Sequence, residues 1–437
     1  MFLGVACAIA LVGSLLAVPT AAPAEAAAHK PWRPTTGGFF NDPWGTTDQK
    51  FHIERQIVGA IQHAKKGSHI RIAVYSFDRT NVAQALIDAH KRGVRVQVLH
   101  NDHQVTKAMM MLKHALGTNR HKKSWDYTCK TGCRSNQGVL HDKIYLFGHT
   151  GSARDVVMTG SANLTRNATV HQFNDLLVKN NVPELYDQLT KLFDQLKKDK
   201  LAKPLYWHKD LGDFRLWVLP HPHTTSKNDP IMKVLDGVRC HGATGGTGIN
   251  GRTKIRVSMH AWNDDRGIYI ARKLRHLYAA GCNVKVMWAL AGSGMKKVIG
   301  MKTKRGEIRR HANGYDMDCD ELHEVDMYSH QKYMTISGHY GDDTSKSLVF
   351  TGSSNWSHSG VVGDELILRA KGDRLVKQWN RNFEHIWTKR SRPVGGGTGG
   401  FHPEKPLCPG DETSMARTAR LAPTPPLTFS GEHWEAD

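Results

Sequence analysis

Leu140-His141-Asp142-Lys143-Ile144-Tyr145-Leu146-Phe147 leads to Thr159-Gly160-Ser161-Ala162-Asn163, and the arrangement returns as Ser329-His330-Gln331-Lys332-Tyr333-Met334-Thr335-Ile336 leading to Thr351-Gly352-Ser353-Ser354-Asn355. Each apolar run reads as a strand. On a strand, residues i and i+2 share a face, so His and Lys of each copy point the same way, as do Ser and Asn of each Gly-Ser-x-Asn. One face then gathers an imidazole, an ammonium, a hydroxyl and a carboxamide. The glycine before the serine is expected to leave room for a ligand to approach the backbone.

The two histidines lie 189 residues apart, and a second repeat with nearly the same offset surrounds them. His69–Phe77 alternates like a strand, Thr80–Arg92 has helical spacing, and Val94–Leu99 is strand-like again. Lys254–His260, Ile268–Ala280 and Asn283–Trp288 repeat that β-α-β unit, Ile255 falling 185 residues after Ile70. Gly93 and Gly281 close the two helices at positions suited to a left-handed cap. An offset this long is that of a whole domain, not of a solenoid. The fold class expected is α/β: two similar halves, residues 40–200 and 206–390, packed together, each with a mixed, mostly parallel sheet flanked by helices. Residues 391–437, rich in Gly and then Pro, read as a flexible tail.

Residues 1–28 form an apolar block ending in small residues, expected to be a cleaved secretory signal, although no Lys or Arg precedes Lys30. An uncleaved anchor is the competing reading. With Cys7 removed by cleavage, Cys129, Cys133, Cys240, Cys282, Cys319 and Cys408 remain in a chain expected to be secreted. Disulfides are then permitted, with 15 possible pairings of three bridges. Cys129 and Cys133 are close enough for a local loop, or each can reach elsewhere; a zinc site at Cys-x3-Cys lacks a second matching pair. The net charge of +20 favours polyanionic or anionic-surface partners without separating nucleic acid from lipid.

The residue inventory suits a phosphodiester. Lys143, Lys332, Asn163 and Asn355 can stabilise phosphate oxygens as charge builds, and one His can attack phosphorus while the other protonates the leaving oxygen. Two copies place nucleophile and acid on opposite sides of phosphorus, and the lysines supply positive charge, so neither metal nor other cofactor is expected. Twice-repeated His-x-Lys with Gly-Ser-x-Asn resembles the phospholipase D superfamily over both halves. The resemblance implies a phosphohistidine mechanism with His141 as nucleophile and His330 as general acid. The family motif continues to an Asp that holds it in place, and here Gly148 and Ser337 stand instead. Asp175 and Glu365, with Asp364 as an alternative to Glu365, resemble the acidic residues that orient each His in that family, and Ser161 and Ser353 are expected to support the site.

Between the second strand and the His-x-Lys strand, each half has an insert, about 101–138 and 291–323. Basic residues in both, with Ala108-Met109-Met110-Met111-Leu112 and Trp125 in the first, suit a phospholipid surface or, with the tryptophan as an aromatic stacking platform, a nucleic-acid backbone. Phospholipase D-type cleavage or transfer of a glycerophospholipid head group is the first expectation, a secreted metal-independent nuclease the second. Both motifs lie in one chain, and a monomer is expected.

Overall fold

In each of the two large sheets parallel pairing is confined to three strands, and the other described pairs are antiparallel. In the computed structural model the described residues are 1–2, 31–317, 325–395 and 400–403. The first half contributes β1 (His69–Val74), β2 (Arg95–Asn101), β3 (Ile144–Thr150), β4 (Ala153–Gly160) and β5 (Asp175–Lys179). The second contributes β6 (Lys254–Trp262), β7 (Asn283–Ala291), β8 (Lys332–Tyr340), β9 (Asp343–Gly352) and β10 (Leu366–Lys371). Sheet one runs Gly37–Phe40, β5, β4, β3, β1, β2, Trp125–Cys129. Sheet two repeats that order at its centre as β10, β9, β8, β6, β7 and adds two strands at either edge.

The expected β-α-β units are present: α1 (Thr80–Lys91) joins parallel β1 and β2, and α2 (Asp264–Ala279) joins parallel β6 and β7. Gly93 and Gly281 adopt φ of +87° and +112°, the left-handed backbone that ends both helices. The sheets are mixed, but most pairs are antiparallel, against the expectation of mostly parallel pairing. Thr150 pairs with Ala153 and Tyr340 with Asp343, so β3 and β4 form a hairpin, and β8 and β9 do the same. A strand that returns through a short turn can only pair antiparallel.

Three buried clusters define the layers. One lies between sheet one and its outer helices, including Ile72, Leu86 and Leu112. Another lies between sheet two and its outer helices, including Val257, Leu274 and Ile299. The third joins the halves, where α3 (Pro183–Leu196) and α4 (Asp373–Lys389) sit with Leu146, Leu177, Tyr333 and Leu368 from both sheets. The apolar face of α3 (Leu185, Leu189, Leu192, Leu196) recurs at helical spacing and that of α4 (Leu375, Trp379, Phe383, Ile386) does likewise, so each helix buries one stripe against the shared core. The described residues from Trp32 onward accordingly form one compact unit.

The reading of 391–437 as a flexible tail fails at its start: Arg392 and Pro393 pair with Ala312 and His311, and the Phe401 ring packs edge-on against Trp44 and Tyr315. Residues 396–399 and the tail from residue 404 lie outside the described residues, as do residues 3–28 of the expected signal, Cys319 and Cys408. Cys129–Cys133 and Cys240–Cys282 are disulfides, with Cα separations of 5.2 and 4.4 Å. Trp125 is completely buried and so is no stacking platform; Met109 and Leu112 are buried with it, while Met110 is exposed.

Candidate active site

Each half delivers its histidine to the other half. The His141 N–H donates to Asp364 O and the His330 N–H to Phe173 O, both at 2.9 Å. Gln172–Phe173 pairs in parallel with Tyr328–Ser329, and Leu140 forms the corresponding bridge with Asp364. These main-chain bonds fix the start of each His-x-Lys strand against the partner half. Both histidines, both lysines and both asparagines are buried.

His141 Nδ1 donates to Glu365 Oε1 at 2.8 Å. That bond turns the opposite ring nitrogen, Nε2, into the one suited to attack phosphorus. His330 Nδ1 meets Asn174 Oδ1 at 2.9 Å. Lys143 Nζ donates to His141 O at 3.0 Å and Lys332 Nζ to His330 O at 3.1 Å, so each ammonium is folded back onto its own motif. Asn163 Oδ1 accepts from the Ser76 N–H at 3.4 Å and Asn355 Oδ1 from the Ala261 N–H at 3.2 Å. With the oxygen engaged, the NH2 of each carboxamide is the group that can donate to a phosphate oxygen.

Other expected residues serve different ends. Ser161 Oγ accepts from the Asp175 N–H at 3.0 Å and donates to Asn174 Oδ1 at 2.9 Å; Ser353 Oγ accepts from the Leu366 N–H at 3.1 Å. The serines therefore lock the motif to the neighbouring strand. The glycines do likewise, and not to admit a ligand. A Cβ on Gly160 would stand 2.2 Å from Asp175 O, and one on Gly352, at φ +146°, 2.3 Å from Leu366 O. Asp175 does not meet the His330 ring, because its carboxylate accepts instead from Thr351 Oγ1 and from Trp379 Nε1, the latter at 3.3 Å. Burial raises the Asp175 carboxyl above the usual range.

Among the described residues, three carboxyls lie behind His141. Glu365 holds the imidazole, Asp364 Oδ2 accepts from the Arg134 N–H at 2.9 Å, and Asp142 is fully buried. Burial pushes Asp364 up to about 7, and burial with the two neighbouring carboxylates raises Asp142 well above the usual range. The backbone of Cys133 also donates to Asp364, so the disulfide loop Cys129–Cys133 forms the wall of this cluster.

Gly148 and Ser337 lie five residues beyond their lysines. Five is odd, so they face the other side of the strand, about 17 Å away at 3.3 Å per residue. Gly148 borders Tyr186 Oη and the His69 backbone, and Ser337 Oγ accepts from the Gly248 N–H at 3.1 Å. Neither position therefore shares the face that carries the histidine and the lysine of its motif.

Sequence reasoning missed Asn174, Tyr75 and His260. The Tyr75 ring stands edge-on to His141 with centroids 5.3 Å apart and stacks on His103 at 3.9 Å. His260, whose Nδ1 donates to Ser329 O at 3.1 Å, lies 4.8 Å from the His330 ring. The 185-residue offset pairs Tyr75 with His260, so the signal was in the repeat itself.

No curated protein matches the sequence. Polyphosphate kinase from Porphyromonas gingivalis superposes with a TM-score of 0.52 at 13% identity, over 86% of this chain and 53% of its own. This chain thus spans about half of that kinase. Phosphatidylserine synthase from Haemophilus influenzae Rd KW20 gives 0.53 at 12% identity, over 79% of this chain and 86% of its own. A phospholipase D family member, Nuc from Salmonella typhimurium, gives 0.28 at 22% identity, over 37% and 93%. The family described as cardiolipin synthase, PLD-like domain matches residues 57–197 and 249–387, one segment in each half and together most of the chain. Both matched segments carry a His-x-Lys and a Gly-Ser-x-Asn, and the chain belongs to the PLD-like family.

Proposed function

We propose that this protein is a secreted phosphodiesterase that cleaves or transfers the head group of glycerophospholipids through a phosphohistidine on His141. The observation that carries the reading is the crossed pair of main-chain bonds that sets both His-x-Lys motifs at one place, with Glu365 of one half on His141 of the other. Neutral His141 attacks phosphorus through Nε2. The phosphorus–oxygen bond to the leaving group breaks, and the leaving oxygen takes the Nε2 proton of His330. Water, or an acceptor alcohol, then gives its proton to His330 and its oxygen to phosphorus, and the phosphorus–nitrogen bond breaks. Lys143, Lys332 and the NH2 groups of Asn163 and Asn355 hold the non-bridging oxygens through both steps. Glu365 stabilises the positive imidazole ring of the phosphoenzyme.

The two disulfides support export, because such bonds persist in oxidising compartments. A lipid surface as substrate fits the exposed Met110, which stands in the first insert with exposed Lys107 and Lys122.

The test offers the protein phosphatidylcholine, phosphatidylethanolamine and single-stranded DNA side by side, with and without chelator. Head-group release is expected, unaffected by chelation, with His141→Ala forming no phosphoenzyme. His330→Ala is expected still to form one from a substrate whose leaving group needs no proton. Lys143→Met or Lys332→Met is expected to lower turnover about 100-fold or more, the usual cost of losing one preorganised charge partner. Cleavage of DNA alone would replace the lipid reading with the nuclease one, and trapped phosphate on His330 would reverse the roles.

A further inference from the structure

We infer that Asn174 is a positioning residue that makes the two halves chemically unequal, leaving His330 with a lower proton affinity than His141. The inference deepens the reaction proposed above and rests on it. Phe173-Asn174-Asp175 occupies in one half the place that Asp364-Glu365-Leu366 occupies in the other. The carbonyls of Phe173 and Asp364 accept from the two catalytic histidine amides, and the amides of Asp175 and Leu366 donate to the two motif serines. Between those anchors the middle residue of each triplet reaches the imidazole Nδ1. It is a carboxylate on His141 and a carboxamide on His330.

The carboxamide is oriented without ambiguity. Asn174 Nδ2 donates to Ala168 O at 3.0 Å and to Gln172 Oε1 at 3.3 Å, so Oδ1 is the atom turned to His330, and it also accepts from Ser161 Oγ. Its neighbour Asp175 is turned away to Thr351 and Trp379. Among the described residues, the other titratable groups near His330 are His260 from β6, at 4.8 Å between ring centroids, and Tyr328 and Lys332 from its own segment, the Lys332 ammonium lying on the His330 carbonyl. None of these places a negative charge on Nδ1.

The consequence follows from electrostatics. An anion on Nδ1 favours the protonated ring, and an amide accepts the same hydrogen bond without that preference. His141, backed by Glu365, becomes a better nucleophile and tolerates the charge it acquires on bonding phosphorus. His330, backed by Asn174, gives its proton up more readily. It is thus suited to protonate a leaving alkoxide, and it loses that proton at a lower pH than a carboxylate-backed histidine would. The alkaline limb of the pH profile reports this group.

Asn174→Asp supplies the missing carboxylate. In histidine-labelled protein, NMR titration of His330 is expected to move up by about one to three pH units, the range for an opposite charge at this distance. The alkaline limb of kcat/KM on phosphatidylcholine is expected to move with it. With bis(p-nitrophenyl) phosphate, whose leaving group needs no proton, the limb is expected to stay. Glu365→Gln is the complementary variant, expected to lower the His141 titration and leave that of His330. A His330 titration unmoved by Asn174→Asp, or limbs that shift equally on both substrates, would overturn the inference. Titrations that move as expected in a protein inert toward every phosphodiester would uphold the assignment of proton affinity and sink the proposed reaction.

Discussion

Asp364→Asn is expected to make the protein's stability less dependent on pH, and the size of the effect can be worked from the site. The Asp364 carboxyl is buried beside Asp142 and Glu365, and burial raises it from 3.8 to about 7. Its folded-state value lies above its unfolded one, so the stability it contributes is fully present below about pH 4 and is lost as pH rises through about 7. Between pH 5 and pH 8 the folded protein remains protonated at Asp364 over about two units in which the unfolded chain is not. At about 1.4 kcal/mol per unit this is roughly 3 kcal/mol lost by the wild type over that interval. Asparagine does not titrate, so the variant lacks that loss. Comparing the difference between the two pH values cancels most of the change in the hydrogen bonds from Arg134 and Cys133, which an amide oxygen accepts more weakly. The assay is urea unfolding of both proteins at pH 5 and pH 8, with slopes checked for equality. Equal wild-type and variant differences would show that Asp364 is ionised in the folded state throughout, and the account of a strained carboxyl cluster behind His141 would fall.

Removing Cys240–Cys282 by double serine substitution is expected to cost about 4 kcal/mol and removing Cys129–Cys133 about 2 kcal/mol, since the closed loops span 42 and 4 residues. Calorimetry giving the reverse order would refute the loop-entropy argument. Gly352→Ala is expected to destabilise by at least about 2 kcal/mol, since its Cβ meets a main-chain oxygen that cannot yield and its φ is unfavourable. Gly148→Ala, whose Cβ comes no nearer than 3.3 Å to a side-chain hydroxyl, is expected to leave turnover unchanged, and a tenfold loss there would restore a catalytic role to the motif position.

The sequence by itself determined the two halves, their β-α-β units and six of the groups at the site, because each depends on spacing within a few residues. His-x-Lys places two side chains on one face of any strand, and a repeat of 185 to 189 residues is visible without knowing where the chain goes. It also made Glu365 a candidate beside Asp364. What it could not decide were the contacts that cross between halves. Asp175 and Asn174 are neighbours on the chain, and only the register of Phe173 against His330 determines that the amide, not the carboxylate, meets the ring. The motif glycines looked like openings for a ligand until the opposing carbonyls of Asp175 and Leu366 were in place. Closure through a short turn set the β3–β4 and β8–β9 pairs antiparallel, which the β-α-β repeat alone did not indicate. Trp125 read as a possible platform because burial is a property of the packed halves and not of the insert's own composition. In each case a side chain's local direction follows from backbone geometry, whereas its partner is chosen by long-range packing.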